Sequence, residues 1–82
     1  MNYKKLISAF GREILKQFRA NEIKYPTPAW PGLPNRELIN ELYYHVGKLQ
    51  AAEKAGNLEQ MQENCGDIGA IAIMFMDNNK LL

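Results

Sequence analysis

The stretch that decides the fold is Glu41–Asn78, ELYYHVGKLQAAEKAGNLEQMQENCGDIGAIAIMFMDN. Its left half extends an apolar stripe that begins upstream: Leu38, Ile39, Leu42, Tyr43, Val46, Leu49 and Ala52. Steps of three and four residues put that stripe on one face of a helix. Gly56 stands where helices commonly end in a left-handed residue. Asn57 is a good cap for the next helix, with Gln60 three residues on in the capping-box position. The third helix then starts amphipathic, with Met61, Cys65, Ile68, Ala72 and Phe75 spaced by four, three, four and three. A turn this short predicts an antiparallel helix hairpin.

The second half of that helix, Ala70–Met76, is apolar on every side. A seven-residue apolar run is also compatible with a buried strand. Helix is the better reading, because the heptad-like spacing continues through it and no partner strand is apparent. A helix apolar all round must be covered all round. Two other helices are too few to do this, so a homodimer or homotetramer is expected, with Ile71, Met74 and Phe75 in the interface. Gly66, Gly69 and Ala70 would permit close helix approach.

Upstream, Leu6, Ile7, Phe10, Ile14, Leu15 and Phe18 form another helical stripe over Tyr3–Asn21, slightly weakened by Gly11. All four prolines fall between Tyr25 and Pro34, which makes 25–34 a loop. Tyr25 and Trp30 make it too aromatic for an inert spacer. Asn35 is the expected cap of the second helix, with Glu37 in its first turn. The expected architecture is therefore all-α: one domain over 1–82, helices at about 3–21, 35–55 and 58–78, assembling into a homo-oligomeric helical bundle.

Composition narrows the function. The chain has 82 residues and a net charge of +1, so it offers no global field for a nucleic-acid polymer. The charge is split, however. Residues 1–24 hold six bases against two acids, and residues 25–82 hold four against seven. The basic start is either a solvated helix face or an attractor for an anion such as phosphate. One cysteine, Cys65, excludes a disulfide framework and a multi-cysteine zinc site. The longest uncharged apolar run, Ile68–Met76, has about half of the ~20 residues a membrane span needs. No apolar h-region follows the N-terminus. A cytoplasmic location is expected.

In an antiparallel hairpin, residues equidistant from the turn lie level. Lys48 is level with about Cys65, and His45 with about Ile68. His45, Lys48, Asn64 and Asp67 therefore converge from facing helices, with Glu63 one turn nearer the loop. Facing helices are where bundle proteins build metal and ligand sites.

Phe10–Lys24 followed by Trp30 resembles the opening helix and Lys-to-Trp segment of small phage and bacterial MazG-like proteins. The second and third helices resemble the rest, with Cys65, Asp67, Ala72, Met74, Asp77 and Asn78 in place. The resemblance covers nearly the whole chain. It implies the fold of the all-α nucleotide pyrophosphohydrolases, which cleave nucleoside triphosphates to monophosphate and pyrophosphate. It also implies a Mg²⁺ site made by E-x-x-E on one helix and E-x-x-D on the next.

Here the E-x-x-E positions are His45 and Lys48, and the E-x-x-D positions are Asn64 and Asp67. Only Asp67 keeps its carboxylate. Mg²⁺ prefers oxygen ligands, and a protonated lysine has no lone pair to offer. A retained metal site would rest on Glu63 and Asp67. Glu37 and Glu41 share a face of the second helix, but Glu41 lies level with Ala72, about 7.5 Å along the axis from Asp67. Glu37 could instead meet Asp77.

The expected function is accordingly a catalytically degenerate MazG-like protein, without a cofactor, that binds or sequesters a nucleotide. Lys24, His45 and Lys48 would hold phosphate. Tyr25 and Trp30 would stack on a base. Asn64 and Asp67 would supply polar contacts. The phage relatives imply an anti-defence role, with a cyclic or ADP-ribose-type immune signal as ligand. Two alternatives stand beside it: an active Mg²⁺-dependent pyrophosphohydrolase, and a protein that inhibits a partner through its surface. Each residue also has a plainer reading. His45 would be a half-buried polar side chain, Lys48 would pair with Asp67, Trp30 would be a lid on the core, Cys65 a small core residue, Tyr43 core and Tyr44 rim.

Overall fold

The computed structural model describes residues 1–24 and 30–82, and of Lys24 only the backbone. The described residues form three helices: α1 (Tyr3–Lys24), α2 (Asn35–Ala55) and α3 (Leu58–Asn78). α1 runs three residues beyond the expected end at Asn21. Its start is capped by Asn2, whose Oδ1 accepts from the Lys5 N–H at 3.1 Å.

The turn between α2 and α3 forms as its residues dictate. Gly56 is left-handed, with φ 66°. Its N–H donates to Glu53 O at 3.1 Å, and the Asn57 N–H donates to Ala52 O at 2.9 Å. This double closure satisfies carbonyls that the helix end leaves open. Asn57 caps α3 by accepting from the Gln60 N–H at 3.1 Å. The capping box is not closed, because the Gln60 side chain donates to Glu63 instead.

The start of α2 differs from expectation. Pro34 occupies the cap position, and Asn35 is the first helical residue. The Asn35 amide is used elsewhere. It exchanges two hydrogen bonds with the Asn79 amide, at 3.0 and 2.8 Å, and so ties together the open ends of the hairpin.

α3 is the central element. α2 packs along one side of it and α1 along another, and among the described residues α1 and α2 do not meet. Two glycines explain where α1 settles. A Cβ on Gly69 would lie 2.7 Å from Ile14 and 2.8 Å from Phe10, and one on Gly66 would lie 2.9 Å from both Glu13 and Gln17. No side chain fits at either position. Close helix approach at these glycines is therefore made within the chain, by α1.

Among the described residues the core is small: Leu38, Ala52, Ala70 and Ile71, with Asn64 among them. Ile71, expected in an interface between chains, is only 7% exposed and belongs to this core. Met74 and Phe75 are half-buried. Cys65, expected as core, is exposed. Tyr43, also expected as core, is 72% exposed. The reason for both is geometric. Apolar stripes on α2 and α3 are wider than the seam between two helices, so one edge of each stays outside. No helix among the described residues is long and apolar enough to cross a membrane.

Candidate functional site

The hairpin brings together His45, Asn64 and Asp67, as level residues on antiparallel helices should be. His45 Nδ1 lies 3.2 Å from Asn64 Oδ1 and 3.5 Å from Asp67 Oδ2. The Asn64 amide is fixed the right way round, because its Nδ2 donates to Gln60 O at 2.8 Å. Its Oδ1 therefore faces the imidazole. Nδ1 sits between two acceptors, so it carries the proton. Nε2 is then the working atom: a lone-pair acceptor in the neutral ring, a donor in the charged one. Glu41, one turn earlier on α2, places Oε2 4.0 Å from Nε2.

Asn64 is 2% exposed. Both ends of its amide are committed, and it holds the ring.

Lys48 does not form the expected pair with Asp67, whose ion-pair partner among the described residues is His45. The Lys48 Nζ lies 5.4 Å from the centre of the Tyr44 ring, within cation–π range. Tyr44 in turn meets His45 edge-on, with centroids 5.2 Å apart. Lys48 is exposed, so its ammonium is open to solvent and to ligand.

Burial pushes the Asp67 carboxyl above its usual 3.8. His45 and Lys48 pull it down, while Glu63 and Glu13 add to the rise. Desolvation therefore outweighs the nearby cations. Glu13 was not legible as a site residue in the sequence. It comes from α1, where it accepts from Gln17 Nε2 at 3.0 Å and from Gln62 Nε2 at 3.4 Å. Only the docking of α1 on Gly66 brings it near, and no spacing within α2 or α3 signals that.

Trp30 lies apart from this cluster. Its ring packs against Phe18, with centroids 6.3 Å apart, and its carbonyl accepts from Asn78 Nδ2 at 2.8 Å. It is half-buried, in the lid position that its plainer reading anticipates. Asn78 stands eleven residues beyond Asp67, about 16 Å along α3 at the helical rise. The Lys24 side chain and Tyr25 lie outside the described residues.

The residues do not fit a Mg²⁺ site of the E-x-x-E and E-x-x-D kind. Asn64 is fully engaged by His45 and Gln60, Lys48 is cationic, and Asp67 alone supplies an anionic oxygen at the four positions. Among the described residues no three His, Cys, Asp or Glu side chains come together in a metal-holding group.

Comparison of the chain with protein-family models, with curated proteins and with solved structures yields no match.

Proposed function

We propose that this chain is a MazG-like protein with a decayed metal site, which binds a nucleotide or nucleotide-derived molecule without hydrolysing it and works as a homo-oligomer. The observation that carries the reading is the state of His45. Its Nδ1 is held by Asn64 and Asp67, which fixes the tautomer and the ring plane. One turn away Lys48 presents an ammonium. That ammonium, beside the held imidazole, is a fitting partner for a phosphate through charge-assisted hydrogen bonds.

Glu41 and Asp67 limit what such a pocket tolerates. Their negative charge repels a bare anion, and the Lys48 ammonium offsets part of it. Trp30 offers the aromatic surface, at a distance from His45. A ligand engaging both must be extended, which favours a dinucleotide or ADP-ribose type of molecule over a mononucleotide. Sequestration of a cyclic or ADP-ribose-type immune signal, an anti-defence role, is the specific form of this proposal.

Incubation with each common nucleoside triphosphate and Mg²⁺ tests the non-hydrolytic part. No pyrophosphate release above the protein-free rate is expected. Turnover that disappears in Asp67→Ala would overturn it and restore the pyrophosphohydrolase reading.

A further inference from the structure

α1 turns two different faces to its surroundings. Glu13, Ile14 and Gln17 are half-buried and, with Phe10, meet α3 at Gly66 and Gly69. Arg12 lies two residues from Phe10 and from Ile14, and Arg19 lies two from Gln17, which is about 200° around the helix. Lys5, Arg12 and Arg19 follow each other by sevens, with Lys16 four beyond Arg12, and all four are exposed. They make one cationic row on the side away from α3, about 21 Å long at the helical rise.

Nothing in the chain neutralises this row. Among the described residues none of the four forms an ion pair, and residues 25–29 contain no acid. The acids of α1 itself stand off the row. Glu13 turns inward, where Gln17 and Gln62 donate to it. Glu22 is three residues from Arg19, about 60° to its side. The row does not serve the helix either. Arg12 and Lys16, four apart, repel each other. Lys5 stands near the start of α1, whose first turn has no acid, at the positive end of the helix dipole. The counter-charge for this row comes from outside the chain.

The neighbours of the row select the source. Residues 25–82 hold four bases against seven acids. A flat anionic surface attracts the row and repels the rest, so it holds the protein with α1 against it. Ile23 lies in line with the row and is 86% exposed, and the exposed Leu15 borders it. The phosphates of a nucleic acid have no use for aliphatic groups, and no aromatic ring stands in the row to stack on a base. A bilayer surface uses both kinds of side chain: anionic headgroups meet the cations, and the boundary with the acyl chains takes the aliphatic ones.

We infer that the outer face of α1 docks on the surface of a bilayer rich in anionic lipid, through Lys5, Arg12, Lys16 and Arg19, with Ile23 entering the headgroup layer. The helix lies along the surface and does not span it. The inference stands apart from the nucleotide reading, since α2, which carries His45 and Lys48, does not meet α1 among the described residues. Each cation near such a surface raises partition roughly fivefold, so four raise it several hundredfold.

Co-sedimentation of the full chain with vesicles tests this. In about 0.1 M salt, partition onto phosphatidylcholine vesicles containing about 30% phosphatidylserine is expected to exceed partition onto pure phosphatidylcholine by at least about a hundredfold. Raising the salt to about 0.5 M is expected to lower it at least about tenfold. The double variant Arg12→Glu/Arg19→Glu, with far-UV circular dichroism unchanged, is expected to lose at least about tenfold. Arg36→Glu/Lys54→Glu, the same change of charge placed on α2, is expected to stay within about threefold of the natural chain. Equal partition of the natural chain onto both kinds of vesicle would overturn the inference. So would an equal loss in the two double variants, which would make net charge, not this face, the cause. A DNA duplex that strips the chain from the anionic vesicles at equal phosphate concentration would overturn lipid as the partner.

Discussion

Asn64 shows how a buried polar residue can position a neighbouring side chain. It is buried with both amide ends satisfied, one by the Gln60 carbonyl and the other by His45. Asn64→Ala removes both bonds and leaves a cavity. A loss of about 2–3 kcal/mol is expected, which lowers Tm by roughly 8–20 °C in a domain of this size. A smaller loss than 1 kcal/mol would mean that the amide does not anchor the ring. Asp67 makes the opposite prediction. Its carboxyl is raised by burial, so the folded chain takes up this proton at a higher pH than the unfolded chain does. The contribution of Asp67 to stability is thus greatest below about pH 4 and is lost as pH rises through the raised value. Asp67→Asn removes that pH-dependent burden. The variant is expected to be more stable than the natural chain at pH 7, with the advantage shrinking toward pH 4. Thermal melts across that range check it, and a variant less stable at pH 7 would show that the His45 contact outweighs desolvation.

At the scale of elements, the hairpin was legible because its signals are local. Gly56 and Asn57 act through their own backbones, and apolar periodicity needs no knowledge of the partner. The place of α1 was not legible in the same way. Gly66 and Gly69 read as permission for close approach, but nothing in the sequence says which helix approaches. Polarity also misleads in both directions at this seam. Cys65 extends an apolar stripe yet is exposed, while Asn64 beside it is buried, because a stripe covering more than half a helix does not determine which edge the partner takes. The glycines offer a paired test. Gly69→Ala forces a methyl into Ile14 and Phe10. It is expected to destabilise by about 1–3 kcal/mol, despite alanine's better helix propensity. Gly47 on α2 has nothing within 4 Å of its Cβ position, so Gly47→Ala is expected to stabilise by about 0.5–1 kcal/mol. Denaturant melts read both; equal effects at the two positions would contradict the α1 seam.

At the scale of the whole molecule, the described residues form a small core, with two helices that meet only through a third. The proposed ligand site lies on the polar flank of the hairpin, where His45 is held by Asn64 and Asp67 and Lys48 is exposed. The central claim is that this is a nucleotide site. It is tested most directly by thermal shift of the natural chain and Lys48→Glu side by side, against nucleoside phosphates, cyclic dinucleotides and ADP-ribose-type compounds. At one hundred times its dissociation constant, a true ligand adds about 2.7 kcal/mol, a rise of roughly 10–20 °C here. The account predicts such a rise for at least one extended nucleotide in the natural chain, and its loss in Lys48→Glu. No rise with any compound, or an equal rise in both proteins, would contradict it.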